Sequence, residues 1–201
     1  VRHLLLLVLA VSLVGILTVP NAFAEYYYYD RPSWSIEYPD GWNVEVETQD
    51  VDTGIVHFLD GKEFTYFGGI WNSHVVIQYS PDLGQKLSDT EERKYQIDYE
   101  RDRCRNATVV TGGEINCSNF NVIRKLPPTF TIDGYPKITT IVSTTNDYPE
   151  YPTSRMVITI TSIYVGTAIW DIYSESDYDV YDEYESKIFR LVNSFKHPAL
   201  P

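Results

Sequence analysis

The chain has 201 residues, with 16 Lys+Arg against 28 Asp+Glu, a net charge of −12, and only two cysteines. So acidic a chain argues against nucleic acid and anionic membrane surfaces as partners, because both are held by clustered Lys and Arg. The length is enough for one domain whose core needs neither a metal nor many disulfides.

Residues 1–24 read VRHLLLLVLAVSLVGILTVPNAFA. Arg2 and His3 form a basic head, Leu4 to Val19 an apolar run, Pro20 a break, and Ala22-Phe23-Ala24 a small-x-small end. This is the pattern of an export signal cut after Ala24. The apolar run is short for a membrane span, which takes about 20 such residues. The expectation is a secreted protein, extracellular or at the cell surface, with no stable membrane insertion after cleavage. The leading valine reads as a prokaryotic GTG start.

Residues 25–33, which include EYYYY, are expected to form an N-terminal tail, 34–197 a single domain and 198–201 a C-terminal tail. Trp34, Ile36 and Tyr38 alternate with polar residues, and so do Trp42, Val44 and Val46. With Pro39-Asp40-Gly41 between them, they read as two half-buried strands across a turn. Ile55–Leu59 and Phe64–Ile70 read as a second pair, and His74–Tyr79 as a further strand. Ser88-Asp89-Thr90-Glu91 has the capping-box form and opens a helix to about Arg103, with a thin apolar face of Tyr95, Ile97 and Tyr99.

Strands resume at Thr108–Thr111 and Cys117–Ile123, and the β-rich stretches Lys137–Thr145, Met156–Val165 and Ala168–Tyr173 follow. Gly166-Thr167 turns the last two into a hairpin. Tyr181, Tyr184, Ile188, Leu191 and Phe195 recur at three- and four-residue steps, one face of a closing helix. Acids at its start and bases toward its end suit the helix dipole.

Cys104 and Cys117 are expected to form a disulfide outside the cytoplasm, and their spacing fits no zinc pattern. Asn106-Ala107-Thr108 and Asn116-Cys117-Ser118 are N-x-S/T sequons, which makes Asn106 and Asn116 glycosylation candidates. Asn106 is the better of the two, since a bridging cysteine interrupts the other.

Tyr38-Pro39-Asp40-Gly41-Trp42 near the start and Leu191-Val192-Asn193-Ser194-Phe195 at the end resemble the PsbP-like (Mog1/PsbP) superfamily. Its members open with a Y-P-x-x-W strand and close with a helix ending in Ser-Phe. The resemblance runs from Trp34 to about His197. It implies an α+β fold, an antiparallel sheet with helices on both faces as an α-β-α sandwich. The family includes photosystem II extrinsic subunits, secreted prokaryotic proteins and a nuclear transport factor. They share a partner-binding scaffold and no catalytic residues, so the resemblance transfers no site residue.

Three histidines follow the leader, His57, His74 and His197, and no G-x-S-x-G elbow or phosphate-binding glycine motif accompanies them. No catalytic residue is assigned, and the protein is read as no enzyme. Asp171, Glu175, Asp177 and Asp179 lie within nine positions, at the head of an acidic stretch that runs to Glu183. Such a cluster suits Ca²⁺ or Mn²⁺, though the EF-hand glycine is missing. The plainer reading is a solvated helix start. Among the aromatics, Tyr66 and Trp71 near a loop are the surface candidates for carbohydrate or peptide binding. The function expected is a non-enzymatic binding or assembly module for another envelope or extracellular protein. Divalent-metal binding and aromatic ligand binding are the alternatives. A buried His-acid pair in a cleft would favour an enzyme instead.

Overall fold

A computed structural model describes residues 25–30, 33–50, 53–60, 73–80, 86–107, 116–148 and 151–197. The leader, Tyr66, Trp71, the expected strands at 64–70 and 108–111, and the tail 198–201 lie outside these residues.

The first strands in chain order are β1 (Glu25–Asp30), β2 (Ser33–Tyr38), β3 (Asn43–Asp50), β4 (Thr53–Asp60) and β5 (Ser73–Ser80). Helix α1 (Asp89–Arg105) follows, then β6 (Asn116–Lys125), β7 (Thr129–Phe130), β8 (Pro136–Tyr148), β9 (Tyr151–Val165) and β10 (Ala168–Asp177). Helix α2 (Tyr181–Asn193) closes the chain. Among the described residues β1 and β2 form a two-stranded ribbon. The rest build one sheet of order β3-β4-β5-β10-β9-β8-β6, with β7 paired to β8. Every pairing is antiparallel.

Two sequence expectations are corrected here. Glu25–Asp30 is strand β1 and no free tail, because Tyr27 and Tyr29 turn inward against Trp34 with ring centroids 5.6 Å apart. Tyr26 and Tyr28 alternate outward and are exposed. Second, β2 and β3 are not a hairpin. Pro39–Gly41 is a corner at which the chain leaves the ribbon for the main sheet, and Gly41 turns it with a φ of 78°. Strand β4 likewise has β3 and β5 as its neighbours.

Period-two alternation gives the sheet two different faces. One face carries Phe58, Val75, Ile77, Trp170 and Ile172, and it is sealed by α2 and the ribbon. The predicted stripe of α2 (Tyr181, Tyr184, Ile188, Leu191) and Phe195 beyond its end all point into this core. Ser35 and Lys196 exchange two backbone hydrogen bonds of 2.9 Å, and Ser194 Oγ accepts one of 2.8 Å from the Glu37 amide. The end of the chain is thereby stitched to the ribbon.

Helix α1 lies on the other face, where it packs on β6 and β8. Its capping box is formed: Ser88 Oγ accepts from the Glu91 amide, and the Glu91 carboxylate accepts from the Ser88 amide at 2.9 Å. Cys104 in its last turn is bonded to Cys117 at the start of β6, with Cα atoms 5.0 Å apart. Because α1 sits toward the β6 end, β4, β5 and part of β10 are uncovered on this face among the described residues.

Candidate functional site

The bare area is a cleft of about 530 Å³. Its floor is the α1-side face of three neighbouring strands. Alternation brings His57 from β4, His74 and Val76 from β5, and Asp171, Tyr173 and Glu175 from β10 to the same side. One flank of α1 supplies the wall, with Glu92, Gln96, Glu100 and Arg103, and the half-exposed Tyr95 and Tyr99 stand at the rim. The two tyrosine rings stack at 6.2 Å, one helical turn apart.

The helix is turned differently from the sequence expectation. The residues it buries are Glu92, Gln96, Ile97, Glu100 and Cys104, while Tyr95 and Tyr99 face out. Glu92, Gln96 and Glu100 recur at steps of four, which places a polar stripe against the sheet. The sheet answers it with hydroxyls.

At one end of the cleft the Ser162 hydroxyl contacts Glu92 Oε1 at 2.7 Å and Asp171 Oδ1 at 2.6 Å. Gln96 Nε2 donates to that hydroxyl at 2.9 Å, and Tyr164 donates to the second Glu92 oxygen. A hydroxyl has one proton to give. The contact to the second carboxyl is therefore complete only when that carboxyl is protonated. Burial raises Asp171 to about 6 against the pull of the Ser162 hydrogen bond, and the charge of Glu92 adds to the rise.

At the other end Glu100, Arg103, Tyr173 and Glu175 interlock. Arg103 Nε is 3.2 Å from Glu100 Oε2 and its terminal nitrogen pairs with Glu175. The Tyr173 hydroxyl lies 2.8 Å from Glu175 Oε1 and 3.1 Å from Glu100 Oε2. Burial pushes Glu100 up to about 7 against the pull of Arg103. Burial acts the same way on Glu175, but there Arg103 wins and holds the carboxyl below its usual range. The pair is asymmetric: Glu175 owns the arginine and Glu100 is the group that titrates.

On the floor His57 Nδ1 and His74 Nε2 are 2.8 Å apart, with the rings stacked and both residues buried. His74 faces Glu175 across the β5–β10 ladder. No local sequence pattern marks either histidine as functional. The signal for them lay in the register, which puts two strands' polar positions side by side. His197, by contrast, is buried against Trp170 at 5.0 Å on the far face.

The acidic stretch does not converge. Residues up to Asp177 are strand, so Asp171, Glu175 and Asp177 are spread along about 20 Å of β10. Asp171 belongs to the Ser162 bridge and Glu175 to Arg103, and Asp177 accepts from the Asp179 amide at 2.8 Å. Among the described residues no group of three or more His, Cys, Asp or Glu is placed to hold a metal ion. Both sequon asparagines are exposed, Asn106 as the C-cap of α1 and Asn116 as the first residue of β6. A more open hollow of about 680 Å³ lies between α2 and the β7 turn, but Glu37 and Arg190 are its only charged walls. No described helix is long and apolar enough to cross a membrane.

No protein-family model matches the chain, and no curated protein matches it in sequence. Solved structures do match. Cyanobacterial PsbP (CyanoP) from Synechocystis sp. PCC 6803 superposes with a TM-score of 0.53 at 14% identity, over 90% of this chain and 95% of that one. The Ran-binding protein Mog1p of Saccharomyces cerevisiae gives 0.49 at 12% identity, over 86% of this chain and 94% of that one. The chain thus has the PsbP-like fold that its opening and closing motifs imply. At these identities the likeness extends to the fold alone.

Proposed function

We propose that this chain is an exported, non-enzymatic binding module that captures a partner outside the cell or at its surface through the cleft beside α1. One observation carries the reading. Among the described residues α2 and the ribbon cover the apolar face of the sheet, whereas the other face keeps a concave, polar, tyrosine-rimmed area of about 530 Å³. Pockets of that size, with a few convergent polar groups, are where ligands bind. The leader-like residues 1–24 and the disulfide suit an oxidising compartment.

The test is photo-crosslinking in the native cell, with a benzoylphenylalanine at position 99 on the cleft rim or at position 28 on the far side of the molecule. A partner trapped from 99 and not from 28 is the expected result, on a chain whose N-terminus is Glu25. Crosslinks from 28 alone would move the binding surface to the ribbon. An uncleaved cytoplasmic chain would end the export reading.

The His57–His74 contact favours a second reading, in which the cleft transfers protons as an enzyme. The trapped partner separates the two: a binding module keeps it unaltered, whereas a catalyst releases a changed product.

A further inference from the structure

We propose that the cleft recognises an organic cation whose charged end offers only N–H donors, an ammonium or guanidinium group, with its alkyl stem laid across Tyr95 and Tyr99. This rests on the reading of the cleft as a binding site and adds the chemistry of its ligand.

The first ground is what the wall lacks. Gln96 Oε1 and Glu100 Oε1 are buried oxygens without a hydrogen-bond partner, on side chains 2% and 1% exposed that line the cleft. The orientation of the Gln96 amide is fixed, because its nitrogen donates to Ile138 O at 3.3 Å and to Ser162 Oγ at 2.9 Å. Gln96 Oε1 is therefore an acceptor, and Glu100 Oε1 is one whenever its carboxyl is ionised. Buried polar atoms left unpaired are costly, and a donor brought by a ligand removes that cost.

The second ground is charge. Glu92, Glu100, Asp171 and Glu175 face the cleft against one arginine, and Arg103 is already engaged by Glu100 and Glu175. An anion is repelled here. A neutral sugar brings as many acceptors as donors, and once Glu100 is ionised the unpaired atoms of this wall offer it no donor. A hard divalent cation needs six or more oxygens around it, and no described group of acidic and imidazole ligands converges for one. Ammonium and guanidinium groups carry three and five donors and no acceptor, which is the complement of this wall. The third ground is the rim: two stacked, half-exposed tyrosines present ring faces to a cation and its methylenes.

Binding should also displace a proton. Glu100 sits up to about 7 through burial; it is faced by Arg103 on α1 and by Tyr173 and Glu175 on β10, and it shares the cleft with Tyr99 on α1, His74 on β5 and His57 on β4. A ligand cation favours the carboxylate. Glu100 ionisation alone then makes binding about tenfold tighter near pH 8 than near pH 6.

The experiment is calorimetric titration of the full chain with cadaverine, N-acetyl-lysine amide and N-acetyl-arginine amide. Neutral pentanediol and CaCl₂ serve as controls, and each titration is run near pH 8 and near pH 6. The expected result is binding of the cations alone, tighter near pH 8 and with proton release. Glu100→Gln should weaken it about tenfold and flatten the pH dependence. The double variant Tyr95→Ala/Tyr99→Ala should weaken it by about three- to tenfold at unchanged fold, which keeps a readout if Glu100→Gln fails to fold. Tighter binding of cadaverine assigns the site to free amines, and tighter binding of the capped amino acids assigns it to a basic side chain of a partner protein. Equal affinity for pentanediol, or calcium binding abolished by Glu100→Gln, overturns the ligand class. The crosslink from position 99 would still stand in that case, whereas its loss defeats the binding reading itself.

Discussion

The two faces of the sheet are made by the same strands, yet they are built on opposite terms. On the α2 side Trp34, Phe58, Trp170 and Phe195 are nearly inaccessible, and Phe195 packs against Trp34 and Trp170 with ring centroids 6.2 and 5.6 Å away. On the α1 side the helix buries two glutamates and a glutamine against serine and tyrosine hydroxyls. In β10 the division falls between consecutive residues: Trp170, Ile172 and Ser174 are buried on one side, while Asp171, Tyr173 and Glu175 are half-buried on the other. One face is closed by area, and the other is held by polar groups that burial alone does not stabilise. That frees the second face to carry a cleft.

The sharpest test of the contrast is Trp170→Ala. The ring is 1% exposed and touches Tyr79, Phe195 and His197. Its loss should cost about 3–5 kcal/mol of unfolding free energy. Urea melts give the number, and a cost under about 1 kcal/mol would show that the α2 face is not the stabilising one.

Glu100→Gln probes the opposite face. The Glu100 carboxyl is raised from 4.5 to about 7, so the fold favours its neutral form. The stability this contributes is whole below about pH 4.5 and is lost as pH rises through about 7. The loss amounts to about 3 kcal/mol at most. The glutamine variant cannot lose it. Relative to the parent, its stability should rise by up to that amount between pH 5 and pH 8. A flat difference across this window would mean that Glu100 is not strained at neutral pH.

The fold was legible where periodicity and turn chemistry act locally. The stripe from Tyr181 to Phe195 named the buried face of α2, and Ser88 with Glu91 named the start of α1. The cleft was not legible, for three physical reasons. The buried stripe of α1 is polar, so a search for apolar spacing lands on Tyr95 and Tyr99, the two residues that face out. Its partners Ser162, Tyr164 and Tyr173 lie about seventy positions away, beyond any local pattern. And the strand expected at Ala168–Tyr173 stops short of Ser174 to Asp177 because acids are depleted in strands, whereas pairing with β5 and β9 on both sides carries the extended form on to Asp177. The same long-range pairing defeats Pro39-Asp40-Gly41, whose sequence specifies a turn but not that it joins two sheets.

Tyr95 and Tyr99 make the smallest perturbation and the most exacting comparison with Trp170. All are large aromatics, but Tyr95 and Tyr99 are 57% and 55% exposed where Trp170 is 1%. Truncating an exposed side chain leaves little cavity and removes little buried area, so the double alanine variant should stay within about 0.5 kcal/mol of the parent. If the rim tyrosines serve only the fold, their loss appears in the melt. If they serve a ligand, the melt is silent and the effect appears in titration alone. A double variant that loses more than about 1.5 kcal/mol would place Tyr95 and Tyr99 with the core and dissolve the division between the two faces.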